Sequence, residues 1–344
     1  MNFELTPQQK AVQQSARQFA QTVLQETVLE DDAAGRFPEE AYKKMGEMGF
    51  VGLPFPKEYG GQGGDYLSYV LALEEISKIN SSVGIAYSVC TSLYSGALIN
   101  DGNEEQKKKY LPEVLSGKKM GSFCLTEPDA GSDAAGCKTT AIWNGKEYIL
   151  NGLKCFITNG GIASFYCITA MTDKTKGVKG ISMFLVDAGT PGLSTGNEEN
   201  KMGIRTSNTC DVVLEDCRIP AANLVGEEGR GFSIAMKTLD QARAWMGCVA
   251  TGIAQRGINE GIAYAKERVQ FGKPVIKNQA MQFKVADMEI KTETARQMVA
   301  HALTKMDMGL PHSKEAAIAK CYASDIAMEV ASEAIQMFGG YGYS

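Results

Sequence analysis

The chain has 344 residues, 44% hydrophobic and 22% charged, with a formal net charge of −5. This is ordinary globular composition, long enough for two or three domains. No dense Lys/Arg stripe is present, which argues against nucleic acid or an anionic membrane as a partner.

The nine cysteines, Cys90, Cys124, Cys137, Cys155, Cys167, Cys210, Cys217, Cys248 and Cys321, are odd in number and form no CxxC pair. They are expected to be buried, reduced thiols in a reducing compartment. With only His301 and His312, metal catalysis and a Ser-His-Asp triad are poorly supported. The opening MNFELTPQQK has neither an apolar h-region nor Arg-rich transit character. No window approaches eighteen uninterrupted apolar residues, so no membrane span is expected and the expected location is cytoplasmic.

In chain order, a helix is predicted from residue 6 to about 30. Thr6 is its N-cap, Pro7 suits the first turn, and Gln9 completes a capping box. Val12, Ala16, Phe19, Val23 and Leu24 mark its buried stripe. PEEAYKKMGEMGF and YLSYVLALEEISKI are two further helices, separated by the loop EYGGQGGDY. The apolar stretch SSVGIAYSVCTSLYSGALI comes next, then the helix EEQKKKYLPEVLSG, closed by Gly117, with its basic run on a solvated face. Residues 1–120 are therefore expected to form an α-helical domain.

From 121 to about 225 the period changes. TTAIW, EYILNG, SFYCITAMT, GISMFLVD and CDVVLEDCRI alternate or run β-branched between turn residues, the pattern of a small β-domain. Over 226–344 the helical period returns in three long segments, about 232–269, 278–308 and 313–338, which point to an antiparallel bundle. Three long helices leave an apolar face in need of a fourth, and Ser344 would serve as the N-cap of a following helix. The chain is accordingly expected to be cut short.

The stretch 121–159 carries two segments of one kind, FCLTEPDAGSD and KCFITNGG, about thirty residues apart. Each is a β-prone run that reaches Thr126 or Thr158 and then breaks into glycine-rich loop, offering backbone N–H groups and hydroxyls to a ligand. Ser132 follows a glycine that lets the chain turn sharply. Singly, each is better read as a β-turn of a barrel whose hydroxyl bonds its own backbone. GEEGRGF and FGGYGYS lack the G-x-G-x-x-G spacing, so no Rossmann site is expected.

Together, TEPDAGSD and NGLKCFITNGG resemble the acyl-CoA dehydrogenase family, and the α, β, α order agrees with it over the whole length. The resemblance is strongest to the short-chain, butyryl-type members. It implies an α+β, three-domain fold: an N-terminal helical domain (1–120), a central β-barrel or sandwich domain (121–225) and a C-terminal four-helix-type bundle (226–344) whose last helix this chain lacks. The cofactor it implies is FAD, lying along the β-domain and completed by a neighbouring subunit's bundle. On that basis Phe123 and Leu125 would give backbone contacts to the flavin, Thr126 a hydroxyl near N5, and Ser132 a contact near the pyrophosphate and CoA. Phe156 would stand against the ring, with Ile157 beside it as a further cofactor contact and Thr158 bonding the ring edge. ERVQFGKP would reach across a subunit boundary: Arg268 to the pyrophosphate, beside Gln270 and Phe271. Gln279, Gln336, Gly339 and Gly340 would complete the adenine side. By pattern alone a surface salt bridge near a helix end is the better explanation of Arg268, and a helix C-cap explains the two glycines equally well. In TLDQARAWMG, Asp240 and Arg243 match positions that meet the CoA portion of the substrate, yet three residues apart they could also pair with each other.

The implied reaction removes an α-proton from an acyl-CoA thioester while a hydride leaves the β-carbon for flavin N5. Electrons then pass to an electron-transferring flavoprotein, and the same chemistry can run in reverse as an enoyl-CoA reductase. A homotetramer is implied. An acyl-CoA oxidase, or a flavin-binding assembly protein without a base, are the rival readings. The family's Y-E-G-T glutamate would lie beyond Ser344, the alternative helix position is Ala242, and Glu127 reads as a structural turn residue. No catalytic residue is therefore expected within 1–344. Tyr87 and Tyr94 are candidates for shortening the acyl pocket, with core packing as the alternative.

Overall fold

A computed structural model of the chain describes residues 4–344. It resolves into two compact units. One comprises the chain up to Val28 together with Asp65–Gly84 and Asp240–Ser344; the other comprises Leu29–Gly64 and Ile85–Leu239.

The first unit is helical. Pro7–Phe19 begins at Thr6, whose Oγ1 accepts the Gln9 N–H at 3.2 Å while Gln9 Oε1 accepts the Thr6 N–H at 2.9 Å, the expected capping box. Tyr66–Ile79 is capped by Asp65, which accepts the Ser68 N–H at 2.6 Å. Gly231–Glu267, which enters this unit at Asp240, Gln279–Asp307 and Ser313–Met337 are the long helices. Their core is alternately small and large: Ala254, Ile258, Met288, Ala295, Ala323, Ile326 and Val330. Gly252 admits a close helix crossing, since a Cβ there would stand 2.8 Å from that of Ser77. Phe283, Ile290 and Met328 remain more than half exposed on this unit.

The second unit is built on an eight-stranded mixed sheet. Its strands are β1 (Gly121–Cys124), β2 (Thr140–Trp143), β3 (Glu147–Thr158), β4 (Phe165–Met171), β5 (Ile181–Asp187), β6 (Leu193–Glu198), β7 (Thr209–Pro220) and β8 (Leu224–Val225). They run in the order β6-β7-β3-β2-β4-β5-β8, with β1 parallel to β4. A single parallel bridge, Thr140 to Met171, joins the two halves. Leu150, Ile157, Ile168, Phe184, Val186, Val212 and Leu214 fill the core between them.

Three features depart from the sequence reading or add to it. The stretch 81–101 is continuous helix with a π segment at Val89–Ser95, and although long and apolar enough to cross a membrane, 83% of its most apolar window is buried in the protein. Strand β6, LSTGNE, has no hydrophobic period because five of its six residues are exposed at the sheet edge. Cys321, expected to be buried, is exposed; the other eight cysteines are buried. Burial raises the thiol pKa of Cys90, Cys137, Cys210 and Cys217 to about 11, which keeps these groups protonated and inert.

Candidate active site

In the second unit the two segments singled out in the sequence lie side by side. Ser122 Oγ donates to the Thr158 carbonyl at 2.7 Å, and the Cys155 N–H donates to the Thr126 carbonyl at 3.0 Å. The strand ends carrying Thr126 and Thr158 thus open on one mouth. Both threonines are half-buried, and neither hydroxyl bonds another group among the described residues. Phe123 is buried in β1 opposite Cys167, so it can offer a ligand only backbone, and Leu125 is half-buried just beyond the strand. Ser132 is exposed on the bend that follows.

Between the two threonines the chain does something unusual. The register of β3 against β7 shifts between Lys154 and Ile157, and Phe156 takes φ 57°, a left-handed conformation that costs an aromatic residue roughly 1–2 kcal/mol. The outcome is a phenylalanine 65% open to solvent beside the mouth, while Ile157 returns to the core. Strain of this kind persists where the surrounding structure holds it, and it gathers at ligand sites.

Asn159 closes the mouth from below. It too has positive φ, and its buried Nδ2 donates to the Gly121 and Ala86 carbonyls at 3.3 and 3.2 Å. Glu127 and Lys154 form the floor. Lys154 Nζ, fully buried, donates to Glu127 Oε1 at 2.7 Å, Thr169 Oγ1 at 3.1 Å and the Leu125 carbonyl at 3.2 Å. Burial alone would raise the Glu127 pKa, but the Lys154 charge, its hydrogen bond and the Thr139 and Lys138 N–H groups outweigh it and hold it at about 2. Glu127 is therefore an ionised structural group, unsuited to a base that must work near neutral pH. Sequence reading missed Lys154 and Asn159. A lysine inside the run LKCFIT was the one visible signal for the first.

In the first unit, Arg268, Gln270, Gln336, Gly339 and Gly340 come together around a cavity of about 540 Å³, with Tyr264 and Tyr341 also lining it. The Arg268 side chain is exposed and makes no ion pair among the described residues, contrary to the surface salt bridge allowed by its sequence pattern. Gly339 has φ 60° and ψ −129°, a region only glycine visits freely, and a Cβ on either Gly339 or Gly340 would meet nothing within 4 Å. The cavity floor is open backbone. Phe271, 98% exposed on the short Val269–Pro274 hairpin, and Gln279, exposed at its helix start, do not line this cavity. Asp240 and Arg243 pair with each other, and Ser313 Oγ donates to Asp240 at 2.8 Å. Tyr87 and Tyr94 are fully buried: Tyr87 donates to the Phe50 carbonyl at 2.6 Å, and Tyr94 stacks on Phe165.

Family models for the acyl-CoA dehydrogenase N-terminal, middle and C-terminal domains match residues 6–118, 122–217 and 229–344. The chain belongs to the acyl-CoA dehydrogenase family. It is 47% identical over 344 residues to the short-chain specific acyl-CoA dehydrogenase of Clostridium acetobutylicum, covering 100% of this chain and 91% of that protein. It is 44% identical over 337 residues to the caffeyl-CoA reductase-Etf complex subunit CarC of Acetobacterium woodii, covering 98% and 89%. Among solved structures it is similar to butyryl-CoA dehydrogenase from Megasphaera elsdenii, with a TM-score of 0.98, 46% identity, and coverage of 100% and 91%. The three-domain α+β fold, with helical ends and a β middle, is that of the family.

This is a family of FAD flavoproteins. The residues present fit that cofactor: two hydroxyls without a partner among the described residues and a projecting aromatic residue suit the rim of a planar heterocycle, and a guanidinium without an ion pair among them, lining one cavity with open glycine backbone, suits a pyrophosphate.

Proposed function

We propose that the protein catalyses the FAD-dependent α,β-dehydrogenation of a short-chain acyl-CoA to the trans-2-enoyl-CoA. The observation that carries this reading is the mouth formed by Thr126, Phe156 and Thr158, two free hydroxyls on either side of a strained, projecting ring. FAD, when bound, supplies the acceptor for the hydride that leaves the substrate β-carbon. Around it Thr126 and Thr158 supply fixed O–H dipoles, Phe123 and Leu125 supply backbone, and Phe156 excludes water. Arg268, with Gln270, Gln336, Gly339 and Gly340, holds the phosphate and adenine end, with Phe271 and Gln279 flanking it. Ser132, Asp240 and Arg243 take the CoA portion. We assign no catalytic base among residues 4–344: Glu127 is held by Lys154, and Ala242 has no ionisable group.

The division into parts 1–120, 121–225 and 226–344 belongs to the same proposal and is supported by the spans of the three family models. We further propose an electron-transferring flavoprotein as the electron acceptor, with operation as an enoyl-CoA reductase open to the same site, a reading supported by the reductase-Etf relative. A cytoplasmic homotetramer is the proposed form, its contacts drawing on Phe283, Ile290 and Met328.

Steady-state turnover with butyryl- and octanoyl-CoA tests the reading, using either electron-transferring flavoprotein or oxygen as acceptor. Turnover that falls with chain length and requires the flavoprotein supports it. Hydrogen peroxide at the same rate would make the protein an oxidase, and preference for octanoyl-CoA would contradict the short-chain assignment.

A further inference from the structure

Lys154 and Glu127 are the most deeply buried ion pair of the second unit, with side chains 0% and 3% exposed. A buried pair of charges is no reliable source of stability, since apolar residues of equal volume often serve as well. What this pair does have is complete directional satisfaction. The three N–H groups of the ammonium go to Glu127, Thr169 and the Leu125 carbonyl. The carboxylate also accepts the Lys138 N–H at 2.6 Å, the Thr139 N–H at 3.1 Å and the Cys137 thiol at 3.2 Å.

The bonds converge on one loop. Adjacent residues of β3 hold consecutive carbonyls of it, Lys154 through Leu125 and Cys155 through Thr126, and the Glu127–Ala130 bridge closes the turn behind them. The next residue of β3 is Phe156, where the strand bulges. The Leu125 and Thr126 carbonyls and the Glu127 carboxylate are thus held by β3 and its neighbours, while the Thr126 hydroxyl, unbonded among the described residues, is left for a ligand.

We propose that Lys154 and Glu127 are positioning residues for the flavin mouth: Lys154 fixes Thr126 through the Leu125 carbonyl, and Glu127 fixes Lys154. This inference rests on the functional reading above. It assigns the pair a role in setting flavin affinity and spectrum, beyond keeping the fold.

The test is the double variant Lys154→Met/Glu127→Gln, which removes both charges together and so leaves no unpaired ion in the core. FAD affinity by equilibrium dialysis, the visible spectrum of bound flavin, its reduction potential and the thermal midpoint are compared with wild type. A near-wild-type midpoint with FAD binding weakened about tenfold or more, and a shifted spectrum and potential, is expected. Recovery of midpoint, affinity, spectrum and potential together would overturn the role. Should the double variant not fold, Thr169→Val keeps both charges and deletes one acceptor of Lys154, together with the 3.4 Å bond from the Thr169 hydroxyl to the Cys124 carbonyl. It is expected to weaken FAD about threefold and shift the spectrum, and unchanged values would overturn the role. Wild type measured alongside separates the two levels: wild type that takes up no FAD contradicts the functional reading itself. Normal wild type with indistinguishable variants contradicts the positioning role alone.

Discussion

Phe156 stands two residues beyond Lys154 on one strand, yet it is 65% exposed while the Lys154 side chain is fully buried. In a regular strand, residues i and i+2 face the same side. The bulge between Lys154 and Ile157, with φ 57° at Phe156, is what turns the ring outward. If the strain serves the ring, Phe156→Gly should stabilise the flavin-free protein relative to Phe156→Ala by about 1 kcal/mol, because glycine tolerates positive φ. Both variants should let oxygen reoxidise the reduced flavin faster. Thermal melts and anaerobic-to-aerobic mixing check the two halves, and equal melts would remove the claim of strain.

Arg268 pairs with no acid among the described residues, so its removal should leave the fold alone. Arg268→Ala is expected to change stability by less than about 0.5 kcal/mol and to weaken FAD at least tenfold. Arg268→Lys should recover only part of the affinity, since a point charge cannot make the forked contact. Equilibrium dialysis with FAD reads both, and full rescue by lysine would show that charge alone matters.

The Glu127–Lys154 pair also sets an acid limit. The folded pKa of Glu127 lies at about 2, below its ordinary 4.5, so the folded state binds this proton less readily than the unfolded chain. The resulting stability is fully present above about pH 4.5 and is lost as pH falls toward 2, with a total on the order of 3 kcal/mol. Denaturant titrations across that window should show a steeper loss in wild type than in Lys154→Met/Glu127→Gln. Parallel slopes would mean the pair is not ionised as described.

In the helical unit, Arg296 bonds both oxygens of the buried Glu74, at 3.2, 3.2 and 3.0 Å, and donates to Gln255 at 2.8 Å. Arg296→Met leaves Glu74 buried beside Lys78 alone and should cost about 3 kcal/mol. Lys291→Ala, which breaks the exposed pair with Glu329, should cost under about 1 kcal/mol. Urea unfolding of the two variants measures the contrast, and similar losses would refute the ranking.

Much of this was legible in the chain. Thr6 and Gln9 announce their capping box, the long helices run within two residues of their expected ends, and the change from helical to alternating period falls at β1. The threonine-to-glycine breaks at 126 and 158 were legible as strand ends, but strand–glycine turns are common, and only the resemblance carried by the two segments together marked them as one site. What could not be read is tertiary. Nothing local says that Lys154 meets Glu127 across 27 positions, or that the bulge reverses Phe156. The helix through 81–101 was obscured by its small and β-branched residues, which its buried surroundings override. Asp240 and Arg243 pair as their spacing allowed, leaving their part in substrate binding to the variants Asp240→Asn and Arg243→Ala.

The most direct measurement is an anaerobic titration of the purified protein with butyryl-CoA, followed by the visible absorption of its flavin and by analysis of the thioester. Bleaching in proportion to the butyryl-CoA added is expected, with the trans-2-enoyl thioester as product. Tightly bound FAD that no acyl-CoA bleaches would contradict it, and would leave a flavin-binding protein without dehydrogenase chemistry.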